Sequence, residues 1–548
     1  MNPSDRNLRA VTLPPHWAPD SWRARTAMQM PTYPDADALE AALGELRQLP
    51  PLVTSWEIFS LKKQLAEAQE GKRFLLQGGD CAENFSDCES GLISNRLKVL
   101  LQMSLVLVHG LRLPVVRVGR FAGQYAKPRS ADMETRDGVS LPSYRGDVVN
   151  APDFTAEARR PDPRRMIKAH ARSAMTMNFV RALIDGGFAD LHHPEYWNLN
   201  WVGYSPLANE YQHMVTSIGD AVRFMETLSG AEVHNLNRID FYTSHEALLL
   251  PYEEALTREV PRQWGWFNLS THYPWIGMRT AAVDGAHVEY LRGVRNPIAI
   301  KVGPSVTPDQ LLRLIDVLNP EDEAGRLTFI HRMGAAQIAE KLPPLLDAVR
   351  RDGRRVLWVC DPMHGNTEST SNGFKTRRFD NVRGEVEQSF DLHAAAGTRL
   401  GGVHLELTGE DVTECTGGAR ELTDVDLERA YRSTVDPRLN YEQSLEIAMC
   451  IVRKQNQLAT PTAPYARPRR PPPRPPRPPP GRGPPGQGRG PPVPGEGERR
   501  AQAPWLSALA CRAWRRAASP IRSTPPCSRA FAARAAQADI VTLQRWIT

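Results

Sequence analysis

Cysteine is scarce, with seven in 548 residues. Only Cys81, Cys88, Cys360, Cys415 and Cys450 precede residue 455, too few and too scattered for a disulfide framework. No apolar run is long enough for a bilayer span; the most apolar early stretch, 104–116, is broken by His109, Gly110, Arg112 and Pro114. Behind Met1-Asn2-Pro3-Ser4-Asp5-Arg6 there is no apolar segment of the kind a secretory leader needs. These absences lead to the expectation of a cytoplasmic protein with reduced thiols and no membrane partner. A dinucleotide fingerprint is missing too, because the first strand candidate runs into Gln77-Gly-Gly-Asp-Cys-Ala-Glu83 and not into G-x-G-x-x-G.

Lysine is absent from residues 455–548, where 16 Arg face only Glu496, Glu498 and Asp539. That segment carries +13 of a whole-chain charge of +6, so residues 1–454 stand at −7. The basic balance therefore belongs to the tail, and the body gives no reason to expect a nucleic-acid partner. Between 464 and 495 lie 15 Pro and seven Arg, a composition that cannot form a packed core. The tail is expected to be disordered, or the product of a frameshift in GC-rich coding DNA. The competing reading is a non-catalytic scaffold whose Pro/Arg tail binds partners.

What remains is globular in composition, with 41% hydrophobic and 24% charged residues. Residues 1–72 predict an N-terminal helical extension, with helices near 37–49 and 55–69. Residues 73–454 then show eight short apolar runs, at 74–77, 115–118, 239–242, 266–269, 298–302, 327–330, 356–359 and 403–407. Helix signals separate most of them, such as Thr307-Pro308-Asp309 ahead of 310–318. The expected fold is α/β, a (β/α)8 TIM barrel with inserted helices.

Active sites of such barrels gather at the C-terminal strand ends. There the sequence offers Asp80, Cys81, Arg120, Ser244, His245, Glu246, His272, Lys301, Arg332, Asp361, His364 and Glu406. Arg120, Lys301 and Arg332, with Arg279 from a connecting loop, suit a phosphate and a carboxylate on one small molecule, since guanidinium forks match both. Cys81, His364 and Glu406, with Asp436 as a candidate fourth, are a donor set for manganese, cobalt, iron or zinc. Without C-x-x-C spacing, the alternative for Cys81 is the usual role of a lone cysteine, a small buried hydrophobe.

At these positions the sequence resembles the class II, plant and actinobacterial type, 3-deoxy-D-arabino-heptulosonate 7-phosphate (DAHP) synthases. The resemblance rests on Gln77-Gly-Gly-Asp-Cys-Ala-Glu83, Arg117-Val-Gly-Arg-Phe-Ala-Gly-Gln-Tyr-Ala-Lys-Pro-Arg-Ser130, Leu141-Pro-Ser-Tyr-Arg-Gly-Asp147, Ser244-His-Glu-Ala247, Asp361-Pro-Met-His-Gly-Asn-Thr367, Gly409-Glu-Asp-Val-Thr-Glu-Cys415 and Asp436-Pro-Arg-Leu-Asn440. It implies condensation of phosphoenolpyruvate with erythrose 4-phosphate at the head of the shikimate pathway. By the same resemblance Cys81, His364, Glu406 and Asp436 hold a divalent metal, Mn2+ or Co2+ first and Zn2+ or Fe2+ as alternatives. Arg120, Arg279, Lys301 and Arg332 take phosphoenolpyruvate, while Lys127, Arg129 and Ser130 fall in the erythrose 4-phosphate loop. A homo-oligomer, dimer or tetramer, and a chorismate mutase partner are further implications. Relatives in secondary metabolism, the aminoDAHP synthases and phenazine-pathway copies, share these motifs.

One position departs from the pattern the resemblance implies. Met278 precedes Arg279 where the family carries Glu, and a thioether can orient neither a guanidinium nor a water as a carboxylate would. Met278→Glu is expected to change KM for phosphoenolpyruvate or kcat; identical constants in both proteins would dismiss the concern.

Overall fold

The structure is a computed structural model and describes residues 17–188, 207–229 and 239–459. The Pro/Arg segment from 464 onward lies outside the described residues. Eight parallel strands close into a barrel in chain order, with the last pairing back onto the first. They are β1 (Phe74–Gly79), β2 (Val115–Arg120), β3 (Tyr242–Glu246), β4 (Tyr273–Ile276), β5 (Ile298–Val302), β6 (Leu327–His331), β7 (Leu357–Cys360) and β8 (Leu400–Glu406). The (β/α)8 expectation is met.

Seven of the eight expected runs overlap barrel strands, and the fourth does not. Trp266–Asn268 instead pairs antiparallel with Thr257–Glu259 in a surface hairpin. The true β4 was hidden because Pro274 sits inside it, and proline in a central strand normally argues against one. As a consequence His272 is not at the C-terminal end of a strand. It precedes β4, is fully buried, and its Nδ1 lies 3.0 Å from the Thr243 amide and accepts its proton.

The barrel interior is apolar toward its N-terminal end. Leu75, Val116, Val118, Tyr242, Tyr273, Trp275, Ala299, Ile330, Leu357 and Val359 pack into one cluster. Leu61, Leu65 and Ala68 complete it from the helix α2 (Ser55–Gln69). Thr54 and Glu57 start α2 with a reciprocal capping box. Its opposite turns press so closely on the strand starts that a Cβ at Gly325 would fall 2.2 Å from the Lys62 carbonyl oxygen. The extension therefore supplies the barrel's floor. The preceding helix, α1 (Ala36–Gln48), packs on Arg164–Asp185.

Helices cover the outside of the barrel. Thr307 caps Pro308–Leu318, its hydroxyl accepting from the Gln310 amide, with Pro308 in the first turn. Contrary to the expectation from the sequence, Ser90–Leu111 is long and apolar enough by composition to cross a membrane, yet most of its apolar residues are buried in the core cluster shared with the closing helix Tyr441–Ala459. The insertion between β2 and β3 brings a hairpin, Met133–Arg136 with Val139–Pro142, to the C-terminal rim.

Since Leu65 is fully buried where α2 enters the barrel, Leu65→Ala is expected to cost about 2–5 kcal/mol. A lowered midpoint of denaturant unfolding would report it, and an unchanged midpoint would contradict the floor assignment.

Candidate active site

Strand register fixes the upper layer of the barrel. Gly79 pairs with Arg120 on β2 and with Glu406 on β8, so these three lie at one level. Gly79 has φ +147, and a Cβ there would stand 2.8 Å from the Arg120 carbonyl oxygen, so the neighbouring strands close this tightly only on glycine. Beyond Gly79 the chain turns upward and delivers Cys81. Above this layer opens a cavity of about 290 Å³, lined by every one of the eleven residues singled out from the sequence: Cys81, His364, Glu406, Asp436, Arg120, Arg279, Lys301, Arg332, Lys127, Arg129 and Ser130.

One end of the cavity holds soft and anionic donors. Ligand atoms of Cys81, Glu406 and Asp436 all lie within 4.8 Å of one another. His364 Nε2 is 3.0 Å from Glu406 Oε1, and its Nδ1 is 2.7 Å from Asp361 Oδ2. With Nδ1 held by Asp361, Nε2 faces the donor set: protonated it pairs with Glu406, and deprotonated it would offer a metal its lone pair. Burial pushes the Cys81 thiol up to about 12, with Glu406 adding to the effect. Lys127 sits between Cys81 Sγ (2.6 Å) and Asp436 Oδ2 (2.5 Å). Burial opposes its charge, but the surrounding Cys81, Asp436 and Glu406 outweigh that and raise its pKa.

The other end is cationic. Arg120 donates to Glu406 Oε1 at 3.1 Å and lies 2.8 Å from His404 Nε2, while its guanidinium sits over the Trp275 ring at 5.2 Å. Lys301 pairs with Asp361, Arg332 donates to the His364 carbonyl oxygen at 2.8 Å, and Arg279 donates to Ser130 Oγ at 3.0 Å. Met278 and the half-buried Glu246 also line the cavity. A dianion carrying two acidic groups fits this end, and a polarising cation fits the other.

The model of the class-II DAHP synthetase family matches residues 17–452. The chain belongs to the class-II DAHP synthetase family. A relative from Streptomyces coelicolor, named phospho-2-dehydro-3-deoxyheptonate aldolase, is 49% identical over 434 residues, covering 79% of this chain and 96% of its own. A relative of the same name from Neurospora crassa is 46% identical over 459 residues, covering 81% and 95%.

Class-II DAHP synthetases generally use a divalent metal, and the donor chemistry here fits one. A thiol and two carboxylates converge, the His364 imidazole adjoins Glu406, and the Lys127 ammonium occupies the anionic gap between Cys81 and Asp436 as a cation would.

Not every strand-end candidate reaches the cavity of this DAHP synthetase. His245 turns away to Glu253 (2.8 Å), Ser244 bonds Gln77 and the Gly119 carbonyl, and Asp80 is taken by Arg438 (2.7 Å) and Arg96 (2.5 Å). Two residues went unnoticed in the sequence. His404 was legible, being two positions before Glu406 on β8 and so on the same face. Arg377 had no such signal; it arrives from the hairpin strand Lys375–Arg377, is fully buried, and places Nη2 2.7 Å from Glu406 Oε2 while bonding the Pro437 carbonyl.

Burial pushes the Lys301 ammonium down to about 8, with Asp361 opposing. The charge is thus present below pH 8 and lost above it, so kcat/KM for an anionic substrate is expected to fall as pH rises through 8. A profile flat from pH 7 to 9.5 would be inconsistent with Lys301 binding that substrate.

Proposed function

We infer that this chain catalyses the DAHP synthase reaction: C3 of phosphoenolpyruvate bonds to the aldehyde carbon of erythrose 4-phosphate, water adds at C2, and inorganic phosphate leaves. The observation that carries the reading is a single cavity that sets Cys81, His364, Glu406 and Asp436 against Arg120, Lys301, Arg332 and Arg279. Phosphoenolpyruvate presents a phosphate and a carboxylate close together, and several fixed cations in a buried wall hold both. Cys81, His364, Glu406 and Asp436 would hold the metal, whose chemistry when bound is Lewis-acid polarisation of an aldehyde oxygen.

The remaining roles fall to the protein's own groups. Lys127 stands between the donor set and the loop bearing Arg129 and Ser130, which lines the open side with the hairpin residues Met133 and Glu134. Its ammonium neutralises the alkoxide that develops as the aldehyde carbon is attacked. Arg129 and Ser130 hold the sugar phosphate, and Arg120, fixed by Glu406 and by the Trp275 face, keeps phosphoenolpyruvate at the level of the attack. The reaction belongs to the shikimate pathway, which supplies aromatic amino acids, and we place the enzyme in the cytoplasm.

The test is phosphate release from phosphoenolpyruvate with erythrose 4-phosphate, before and after chelation and with Mn2+ or Co2+ restored. Release that vanishes on chelation and returns with metal is expected; release surviving thorough chelation would remove the metal from the site. In the same assay Lys127→Met is expected to lose most of kcat while phosphoenolpyruvate still binds, and near-normal kcat would end the alkoxide role.

A further inference from the structure

The helix Phe379–Ala395 packs outside β7 and β8 and carries Glu385, which is fully buried and does not line the cavity. Its Oε1 accepts the backbone N–H of Met333 at 2.8 Å and of Gly334 at 2.9 Å. Its Oε2 accepts from Asn366 Nδ2 at 2.7 Å. Asn366 also gives its Nδ2 to the Pro362 carbonyl at 2.8 Å and accepts the Ala335 amide on Oδ1 at 2.9 Å. Met333 and Gly334 follow Arg332 directly, and Asn366 is two residues past His364.

The two loops are pressed together at the same point. A Cβ on Gly365 would lie 2.3 Å from the Gly334 nitrogen, and one on Gly334, itself at φ +83, 2.6 Å from the Gly365 carbonyl oxygen. Arg332 closes the contact by donating to the His364 carbonyl. Burial pushes the Glu385 carboxyl up to about 8 while its three N–H donors favour the ionised form, and this one group holds the loop after β6, which supplies a cation, and the loop after β7, which supplies an imidazole.

A rival use of the same residues has support. His331, Cys360 and Glu385 place ligand atoms within 4.8 Å of one another, and both ring nitrogens of the buried His331 lack partners. An ion there would have to recover Glu385 oxygens already committed to three N–H donors, each costly to strand in the interior. The committed bonds favour a strut over a ligand.

We propose that Glu385 is a positioning residue that ties the Arg332 loop to the His364 loop, so that the phosphoenolpyruvate end and the metal end of the cavity keep one spacing. The proposal rests on the reading of the cavity given above. Glu385→Gln keeps an oxygen for the two backbone amides but sets an NH2 group against that of Asn366. Asn366→Asp in that background returns an acceptor and should restore part of the strut.

The full chain would be titrated with Mn2+ and, separately, with phosphoenolpyruvate, and hydrogen exchange followed at the amides of Met333, Gly334 and Asn366. In Glu385→Gln both affinities are expected to fall on the order of 10-fold, the scale of outer-shell losses at metal sites. Exchange should quicken in both loops, and the double variant should recover part of each change. Folded Glu385→Gln with parental affinities and parental exchange, or with only one loop affected, would overturn the strut. A second Mn2+ or Zn2+ bound per chain and lost in Cys360→Ser would overturn it in favour of a buried metal site. If the parent binds neither ligand, the cavity reading fails, and the exchange rates alone then decide the strut.

Discussion

A carboxylate fully buried at the end of the last barrel strand sets the terms for the rest of the site. Leaving Glu406 ionised away from water would cost several kcal/mol unless partners surrounded it. His364, Arg377 and Arg120 do so, and against the burial they together hold its pKa well below the ordinary carboxylate range. Each partner is in turn fixed by something else: Arg120 by His404, Arg377 by Thr367 and the Pro437 carbonyl, His364 by Asp361. The opposed charges that would receive two anionic substrates and a cation are thus balanced among themselves. A metal ion that enters would displace Lys127 from Cys81 and Asp436.

The architecture was legible wherever apolar residues alternate with small or polar ones and end in a turn. β5 and β6 fall almost where the periodicity puts them, because their sequences Ile-Ala-Ile-Lys-Val and Leu-Thr-Phe-Ile-His are apolar on both faces, as parallel strands covered by helices must be. β4 was hidden by Pro274, and β3 by the polar residues Thr243, Ser244 and His245, which are buried only because inner and outer partners satisfy them. Cys81, Arg120, Lys301, Arg332, His364 and Glu406 were visible because barrel geometry makes strand ends meet, whereas Lys127, Arg129 and Ser130 came from the family resemblance alone. Glu385 and Arg377 were not visible, since a charge buried behind the wall by tertiary contacts looks, in a linear sequence, like any other charge on a helix or a hairpin.

Net charge was a poor guide to chemistry here. Residues 1–454 are acidic overall, yet they enclose a pocket whose far wall is cationic. Fields inside a low-dielectric cavity depend on the few groups that line it, while distant surface charges are screened by solvent and salt.

The floor helix has an implication for how the molecule is made. Its sequence leaves the ribosome before any barrel strand, but the surfaces that receive it include β7 and β8, more than 280 residues later in the chain. Until those strands exist, Leu61, Leu65 and Ala68 have no finished interior to enter. The seat of α2 is therefore complete only once β7 and β8 have been made, so a half-synthesised barrel leaves part of this apolar helix uncovered.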